Sequence, residues 1–317
     1  MSRHVVFGAG QVGAPLASEL MARCHDVIVV SRSGRTSVAG ARNVTGNAPD
    51  PLFTTEVCTG ADVVHFCLDA PDYGRWPEQF PPLQRGVLAG AREARARLVV
   101  LENLYAYGDV GGRPLVEDLP LVATSAKART RAAMTRELLE AHAAGDVEVA
   151  IGRASDYFGP DVTHSALGEL VFANAVAGKT AQVMGDPDRR HSYSHVPDVA
   201  AALATLGESP AAVGQVWHLP VADAWTTRQA LDHVHVLVGH TSKTFAAGRT
   251  TLRLLGVFQP AMKEYLHTLH QFTEDWVVDD TRFREAFGDH CTPLPEALAA
   301  TVEWYRHVGS RSVTSPP

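Results

Sequence analysis

Over the first half of the chain, short apolar runs alternate with longer stretches in which apolar residues recur at helical spacing. The runs at 5–7, 27–30, 63–67, 98–101 and 147–151 are rich in Val, Ile and Leu and predict strands buried on both faces. The stretches at 14–23, 84–95 and 125–144 predict amphipathic helices that cross over the sheet right-handedly. This order predicts an α/β fold built on a doubly wound parallel sheet. Beyond Gly159-Pro160 the pattern changes to helices at 165–177, 198–206, 227–238 and 294–306, separated by longer loops and a short strand near 215–219. That half predicts a smaller lid or substrate-binding domain. Residues 309–317, rich in Ser and Pro, have little to bury and predict a disordered tail.

Directly after the first strand stands Gly8-Ala9-Gly10-Gln11-Val12-Gly13, a GxGxxG that opens a helix near Pro15. In that context Gly8 permits a tight turn, Gly10 lets the backbone approach a pyrophosphate, and Gly13 lets helix and strand pack closely. The anion then sits at the helix N-terminus, flanked by Gln11 and Val12. The bland alternative is a turn that binds no nucleotide. These residues predict a Rossmann nucleotide-binding domain over 1–160, completed by roughly 190–222, with 161–189 and 223–308 forming the substrate domain.

The second strand bears on which dinucleotide is bound. A site for NAD carries an acid near its end to hold the ribose 2′-OH. Here the chain reads Ser31-Arg32-Ser33-Gly34-Arg35, and no Asp or Glu occurs from Val27 through Pro49. A 2′-phosphate would meet guanidinium groups and hydroxyls, so NADP(H) is favoured, the alternative being solvated loop arginines. Asn47 is placed near the adenine, and Leu68 and Ala70, after the fourth strand, are placed along the cofactor.

Composition narrows the partners. The chain has 317 residues, 28 Lys plus Arg against 35 Asp plus Glu, and a net charge of −7, with no basic tract to neutralise phosphates. Nucleic acid is excluded as a partner. No run approaches the roughly 20 apolar residues of a membrane span, and no signal-peptide layout precedes the first strand, so a cytoplasmic location is expected. Cys24, Cys58, Cys67 and Cys291 form no CxxC pair and are expected to be reduced. The pairs His191 with His195 and His233 with His235 lack a third ligand at metal spacing, so no metal site is expected.

Several segments together resemble the extended short-chain dehydrogenase/reductase family, of the NAD(P)-dependent epimerase/dehydratase kind. They are the glycine loop, Gly46-Asn47-Ala48-Pro49-Asp50, Ala61-Asp62-Val63-Val64-His65, Glu102-Asn103-Leu104-Tyr105-Ala106-Tyr107-Gly108, Arg153-Ala154-Ser155-Asp156-Tyr157-Phe158-Gly159-Pro160 and His195-Val196-Pro197-Asp198-Val199-Ala200. The resemblance implies a catalytic Ser, and a Tyr and Lys four residues apart on one helix face, where the Lys lowers the phenol pKa and anchors the nicotinamide ribose. Lys127 matches the Lys, but Ala123 stands where the Tyr is expected and Asn103 where the Ser is expected. The glycine loop is also one residue shorter than the usual GxxGxxG. The sequence is therefore similar to an atypical member, and the resemblance makes the 125–144 helix a candidate face for homodimer pairing.

A carbonyl that accepts hydride becomes an oxyanion and needs a proton or hydrogen-bond donor. Lys127, Tyr105 and Asn103 are the candidates, with Lys127 also a ribose contact and Tyr105 also a packing residue. Tyr73 and Trp76 in the loop after the fourth strand, together with Tyr105 and Tyr157, could wall a small-molecule substrate; the alternative is that the two loop aromatics pin a Pro-rich loop. Arg189 and Arg190 could hold a diphosphate or stand in solvent. The first reading is an NADP(H)-dependent reductase of a ketone, enone or quinone-like molecule. The alternatives are a redox-neutral epimerase, dehydratase or isomerase with tightly held NADP, and a non-catalytic NADP(H) sensor.

Overall fold

The computed structural model describes residues 1–34, 38–122, 124–258 and 264–313. Seven parallel strands form the central sheet: β1 (Arg3–Phe7), β2 (Asp26–Ser31), β3 (Arg42–Thr45), β4 (Val63–Phe66), β5 (Arg97–Asn103), β6 (Val149–Ala154) and β11 (Val216–His218), in the order β3-β2-β1-β4-β5-β6-β11. The chain winds outward from β1 to β3, then returns to β4 and winds the other way. A crevice opens at the carboxyl ends where the direction reverses.

The central strands carry β-branched residues because both faces are covered. Helices α1 (Gly13–Ala22) and α6 (Val196–Glu208) bury Leu16, Leu20, Val199 and Leu203 on one face. On the other, α3 (Trp76–Ala94) and α4 (Ala126–Ala143) bury Phe80, Val87, Met134 and Leu138. The edge strand β3 and helix α2 (Pro51–Cys58) escape the apolar pattern, since β3 is mostly exposed and α2 buries only Thr54 and Cys58.

Helix α3 begins well before 84. Pro77 lies in its first turn, and Pro81 and Pro82 interrupt only bonds near its start, while the buried Trp76 and Phe80 anchor that part. The second half packs a separate core of Phe158, Phe172, Leu231, Leu298 and Tyr305 around α5 (Glu169–Val176), α7 (Thr227–Val238) and the last helix. It also holds β7 (Asp156–Phe158), β8 (Ala181–Met184), β9 (Arg190–His191), β10 (Tyr193–His195), β12 (Trp225–Thr226), β13 (Thr244–Ala247) and α8 (Arg249–Phe258). The last helix runs Leu294–Val313, past the expected end at 306, because Gly309 alone does not stop a helix. The expected tail is thus helical through Val313, and 314–317 lie outside the described residues. No helix among the described residues is long and apolar enough to cross a membrane. The four cysteines are free.

Beneath the sheet's amino end, imidazoles form a hydrogen-bonded row. Glu208 bonds His25 at 2.8 Å, His25 bonds the Ser2 hydroxyl at 2.8 Å, Ser2 bonds His4 at 2.9 Å, and His4 bonds His65 at 3.0 Å. Burial, reinforced by the neighbouring His25, lowers His4 to about 4. Burial and the adjacent His4 hold His65 well below its usual value, and burial lowers His218 to about 4. These rings stay neutral when folded but protonate when unfolded at about pH 6.5. Stability is therefore complete above about pH 6.5 and falls toward pH 4, by up to roughly 1.4 kcal/mol per pH unit for each ring. Urea midpoints at about pH 7.5 and pH 5 are expected to differ accordingly, with the acid sample less stable; equal midpoints would contradict this.

Candidate active site

The carboxyl ends of β1, β2, β4, β5 and β6 open onto a cavity of about 950 Å³. Gly8, Gly10, Gln11, Val12, Ser31, Arg32, Asn47 and Leu68 line one end. Gly13, Ser33 and Ala70 do not line it, and Arg35 lies outside the described residues.

The three glycines have different physical reasons. Gly8 has φ +112°, and a Cβ there would lie 2.5 Å from the Cys67 carbonyl oxygen. A Cβ on Gly13 would lie 2.0 Å from the Gly8 carbonyl oxygen, so this glycine sets the turn-to-helix packing. A Cβ on Gly10 would meet no protein atom within 4 Å and would instead project into open space. That is the cradle a pyrophosphate needs at the N-terminus of α1. Gln11 turns away to the facing loop: its Oε1 accepts from the backbone N–H of Thr163 and of His164, each at 2.8 Å, and its Nε2 donates to the His164 carbonyl at 3.2 Å. At the β2 end Arg32 is exposed beside Ser31, and the chain from Val27 to Asn47 brings no carboxylate to the cavity among the described residues, the nearest acid along the lining being Asp69 after Leu68.

Further along, Tyr73, Trp76, Asn103, Tyr105 and Tyr157 all line the cavity. Asn103 uses its Oδ1 to accept from the Tyr105 backbone N–H at 3.2 Å, which leaves the amide hydrogens as donors. Tyr105 and Tyr73 share a hydroxyl contact of 3.3 Å. Burial pushes Tyr105 well above the ordinary phenol range and Tyr73 up to about 12, so both remain protonated near neutrality.

The structure does not bring Lys127 to this cavity. Its ammonium lies 2.9 Å from Glu264 and 3.2 Å from the centre of the Tyr73 ring, buried behind that ring. Burial lowers its pKa, and Glu264 partly restores it. Ala123, at the position where the resemblance implies a Tyr, lies outside the described residues. One helical turn after Lys127, Arg131 lines the cavity, a residue that sequence reasoning passed over. Spacing was the available signal, because positions 127 and 131 share a helix face. Arg131 is 6% exposed, its guanidinium lies 4.1 Å from the centre of the Phe80 ring, and its Nε and Nη1 have no hydrogen-bond partner. Burial depresses its pKa, and Glu102 and Asp69 oppose that shift. A buried cation with unused N–H groups is costly unless a ligand supplies acceptors.

Asp156 was also passed over. It lines the cavity and pairs with His191 Nε2 at 2.9 Å, while His191 Nδ1 bonds the Gln271 carbonyl at 3.0 Å. His191 is thus committed to structural bonds, and His195 faces Asp198 at 3.3 Å. No metal-binding cluster is found among the described residues. The arginines considered for a diphosphate are turned outward: Arg189 pairs with Asp186 at 3.2 Å and Arg190 with Asp275 at 2.9 Å, and neither lines the cavity. The far end is instead mostly apolar, walled by Leu170, Val183, Met184, Phe245, Leu252 and Phe272, with Glu169 and Gln182 beside them.

The model of the NAD dependent epimerase/dehydratase family matches residues 5–219. A UDP-N-acetyl-alpha-D-glucosaminuronate decarboxylase of Bacillus cytotoxicus is 23% identical, with 95% of this chain and 96% of that protein covered. Among solved structures, dTDP-glucose 4,6-dehydratase of Bacillus anthracis str. Ames in complex with NAD is similar at a TM-score of 0.80 and 15% identity, covering 97% of each chain. The Thermus thermophilus UDP-glucose 4-epimerase complex with NAD is similar at 0.76 and 17% identity, covering 96% of this chain and 99% of that one. At these identities the structural likeness is one of fold.

The glycine geometry separates fold from binding. Gly10→Ala is expected to keep the thermal midpoint while weakening dinucleotide binding about tenfold or more. Gly13→Ala is expected to destabilise by about 2 kcal/mol or more through the clash with Gly8. Thermal melts and fluorescence titration check both, and unaltered binding in Gly10→Ala would contradict the assignment.

Proposed function

The chain belongs to the NAD dependent epimerase/dehydratase family, and from that premise we propose an NADP(H)-dependent oxidoreductase that reduces a neutral, largely apolar carbonyl compound. The single observation that carries this reading is the character of the cavity beyond the cofactor end. Its walls are mostly apolar and aromatic, with Asp156, Glu169, Gln182 and Gln271 among them and Arg131 as the one cation beyond the cofactor end among the described residues, and Arg189 and Arg190 are spent on Asp186 and Asp275. A sugar nucleotide carries a diphosphate, which needs cationic partners; a ketone, enone or quinone does not.

The glycine cradle, Asn47 and Leu68 would hold the dinucleotide, with Ser31 and Arg32 toward a 2′-phosphate. When bound in reduced form, that cofactor supplies hydride. Asn103 and Arg131 present N–H donors to the oxygen on which charge develops, and the Tyr105 phenol presents a proton. Because Arg131 is a fixed buried cation, it can stabilise an oxyanion without the phenol-lysine pair that the family resemblance implies.

A second reading, redox-neutral chemistry with a retained cofactor, is supported by the decarboxylase, dehydratase and epimerase relatives. Purified protein incubated with NADPH and, separately, with aryl ketones, enones, quinones and UDP- and dTDP-sugars distinguishes the two. Loss of reduced-nicotinamide absorbance with an uncharged carbonyl compound is expected. Sugar-nucleotide conversion without net NADPH loss would favour the second reading.

NADPH is expected to bind about tenfold or more tightly than NADH, and Arg32→Ala to remove most of that preference. Equal affinities in the wild-type protein would overturn the NADP assignment. Tyr105→Phe is expected to lower kcat about a hundredfold without weakening NADPH binding; unchanged kcat would remove Tyr105 from the proton step.

A further inference from the structure

Asp156 on β7 lines the large cavity with a carboxyl group of which only one oxygen is engaged. Its Oδ2 meets His191 Nε2 at 2.9 Å, and on the other edge of that ring Nδ1 donates to the Gln271 carbonyl at 3.0 Å. An imidazole set between a carbonyl and a carboxyl group has its protons assigned by its neighbours. Nδ1 carries a hydrogen, because a carbonyl oxygen only accepts. Nε2 and Oδ2 then hold one proton between them, as imidazolium with carboxylate or as imidazole with carboxylic acid. In both arrangements Asp156 Oδ1 bears no hydrogen and can only accept.

The ring that holds Oδ2 is clamped. His191 is buried and stacks on Phe272 with centroids 4.8 Å apart and planes 5° from parallel, while Tyr193 packs against it at 4.4 Å. The Asp156 side chain keeps 20% of its surface, and its Oδ1 makes no hydrogen bond among the described residues. The same cavity wall carries Tyr157, Phe272 and Trp276. An acceptor left open among such rings costs free energy unless a ligand supplies a hydrogen. The Asp156 and His191 pair is neutral as a whole, and Arg131 supplies a positive charge to the same cavity, so a neutral hydroxyl suits Oδ1 better than an ammonium.

We propose that Asp156 recognises a hydroxyl group on the substrate, so that the compound reduced is a ketone or enone that also carries a hydroxyl. The proposal rests on the reductase reading and names its substrate class. The hydroxyl donates to Asp156 Oδ1, while the carbonyl oxygen accepts from Arg131 and Asn103. One molecule thereby satisfies both the acceptor and the donors that the chamber leaves open. Two polar points in a mostly apolar wall also decide which end of the molecule is turned toward the cofactor. Asp156 acts in selection alone: its bond to the hydroxyl is a hydrogen bond, and no proton or electron pair passes through it.

Acetophenone and its ortho, meta and para hydroxy and methoxy derivatives test this with and without turnover. Dissociation constants are measured by calorimetry on protein saturated with NADP+, where no hydride is available, and kcat/KM is measured with NADPH. At least one hydroxy compound is expected to be favoured about tenfold or more over both acetophenone and its methoxy counterpart in each measurement, because a partner without the hydrogen leaves Oδ1 unpaired. Asp156→Ala, checked for folding by its thermal midpoint, is expected to lose that preference and still bind acetophenone. Wild-type protein that binds no hydroxy compound, or none better than acetophenone, would overturn the proposal whether or not the variant folds, and so would a preference kept by folded Asp156→Ala. Reduction of these ketones without a hydroxyl preference would overturn the role of Asp156 and leave the reductase reading standing. Preferred binding of a hydroxy compound with no oxidation of NADPH would instead overturn the reductase reading and leave the Asp156 site.

Discussion

The site depends on one buried ion pair. Arg153 on β6 contacts Glu102 on β5 at 3.1 Å, with the two side chains 2% and 1% exposed. Thr135 on α4 donates to the same carboxylate at 2.8 Å, and the Tyr107 hydroxyl takes an Arg153 N–H at 2.7 Å. His218 on β11 closes the network on Tyr107 at 2.8 Å. A pair so deeply desolvated is held by its geometry and hydrogen bonds, and loss of either partner would leave an uncompensated charge costing about 3–5 kcal/mol. Its value lies in register. Glu102 immediately precedes Asn103, Arg153 lies one strand-end away from Asp156, and Thr135 is one helical turn from Arg131. Three elements that line the cavity are thereby fixed to one another at a point outside its lining.

From that anchor the site divides by polarity. The glycine loop and the β2 end offer backbone and cationic partners, while the C-terminal elements offer apolar walls. The division follows from what each half is built of: strand ends and a helix N-terminus present N–H groups, whereas β8, β13 and α8 contribute Val183, Met184, Phe245 and Leu252. Between the halves stand Arg131, Asn103 and the paired tyrosines, which bring N–H and O–H donors to the middle of the cavity.

Much of this was legible in the chain. Val-rich runs identified five central strands because burial on both faces leaves an unbroken apolar signature. The edge strand β3 and the helix α2 lacked that signature and were missed, and the Pro81-Pro82 pair hid the start of α3. In the site, the glycine spacing and the acid-free β2 end were readable because they are local. Arg131 and Asp156 were not, since their significance comes from unused N–H groups and from a histidine 35 residues away. Lys127 matched a motif by position, yet Tyr73 and Glu264, distant in sequence, occupy its ammonium.

The bracket made by Gln11 ties the two halves together. Its side chain joins the glycine loop to Thr163 and His164, and the loop they begin continues through Ser165 and Ala166 along the cavity wall. The glycine loop and the wall opposite are therefore one mechanical unit, so that a displacement of either is carried to the other through three hydrogen bonds.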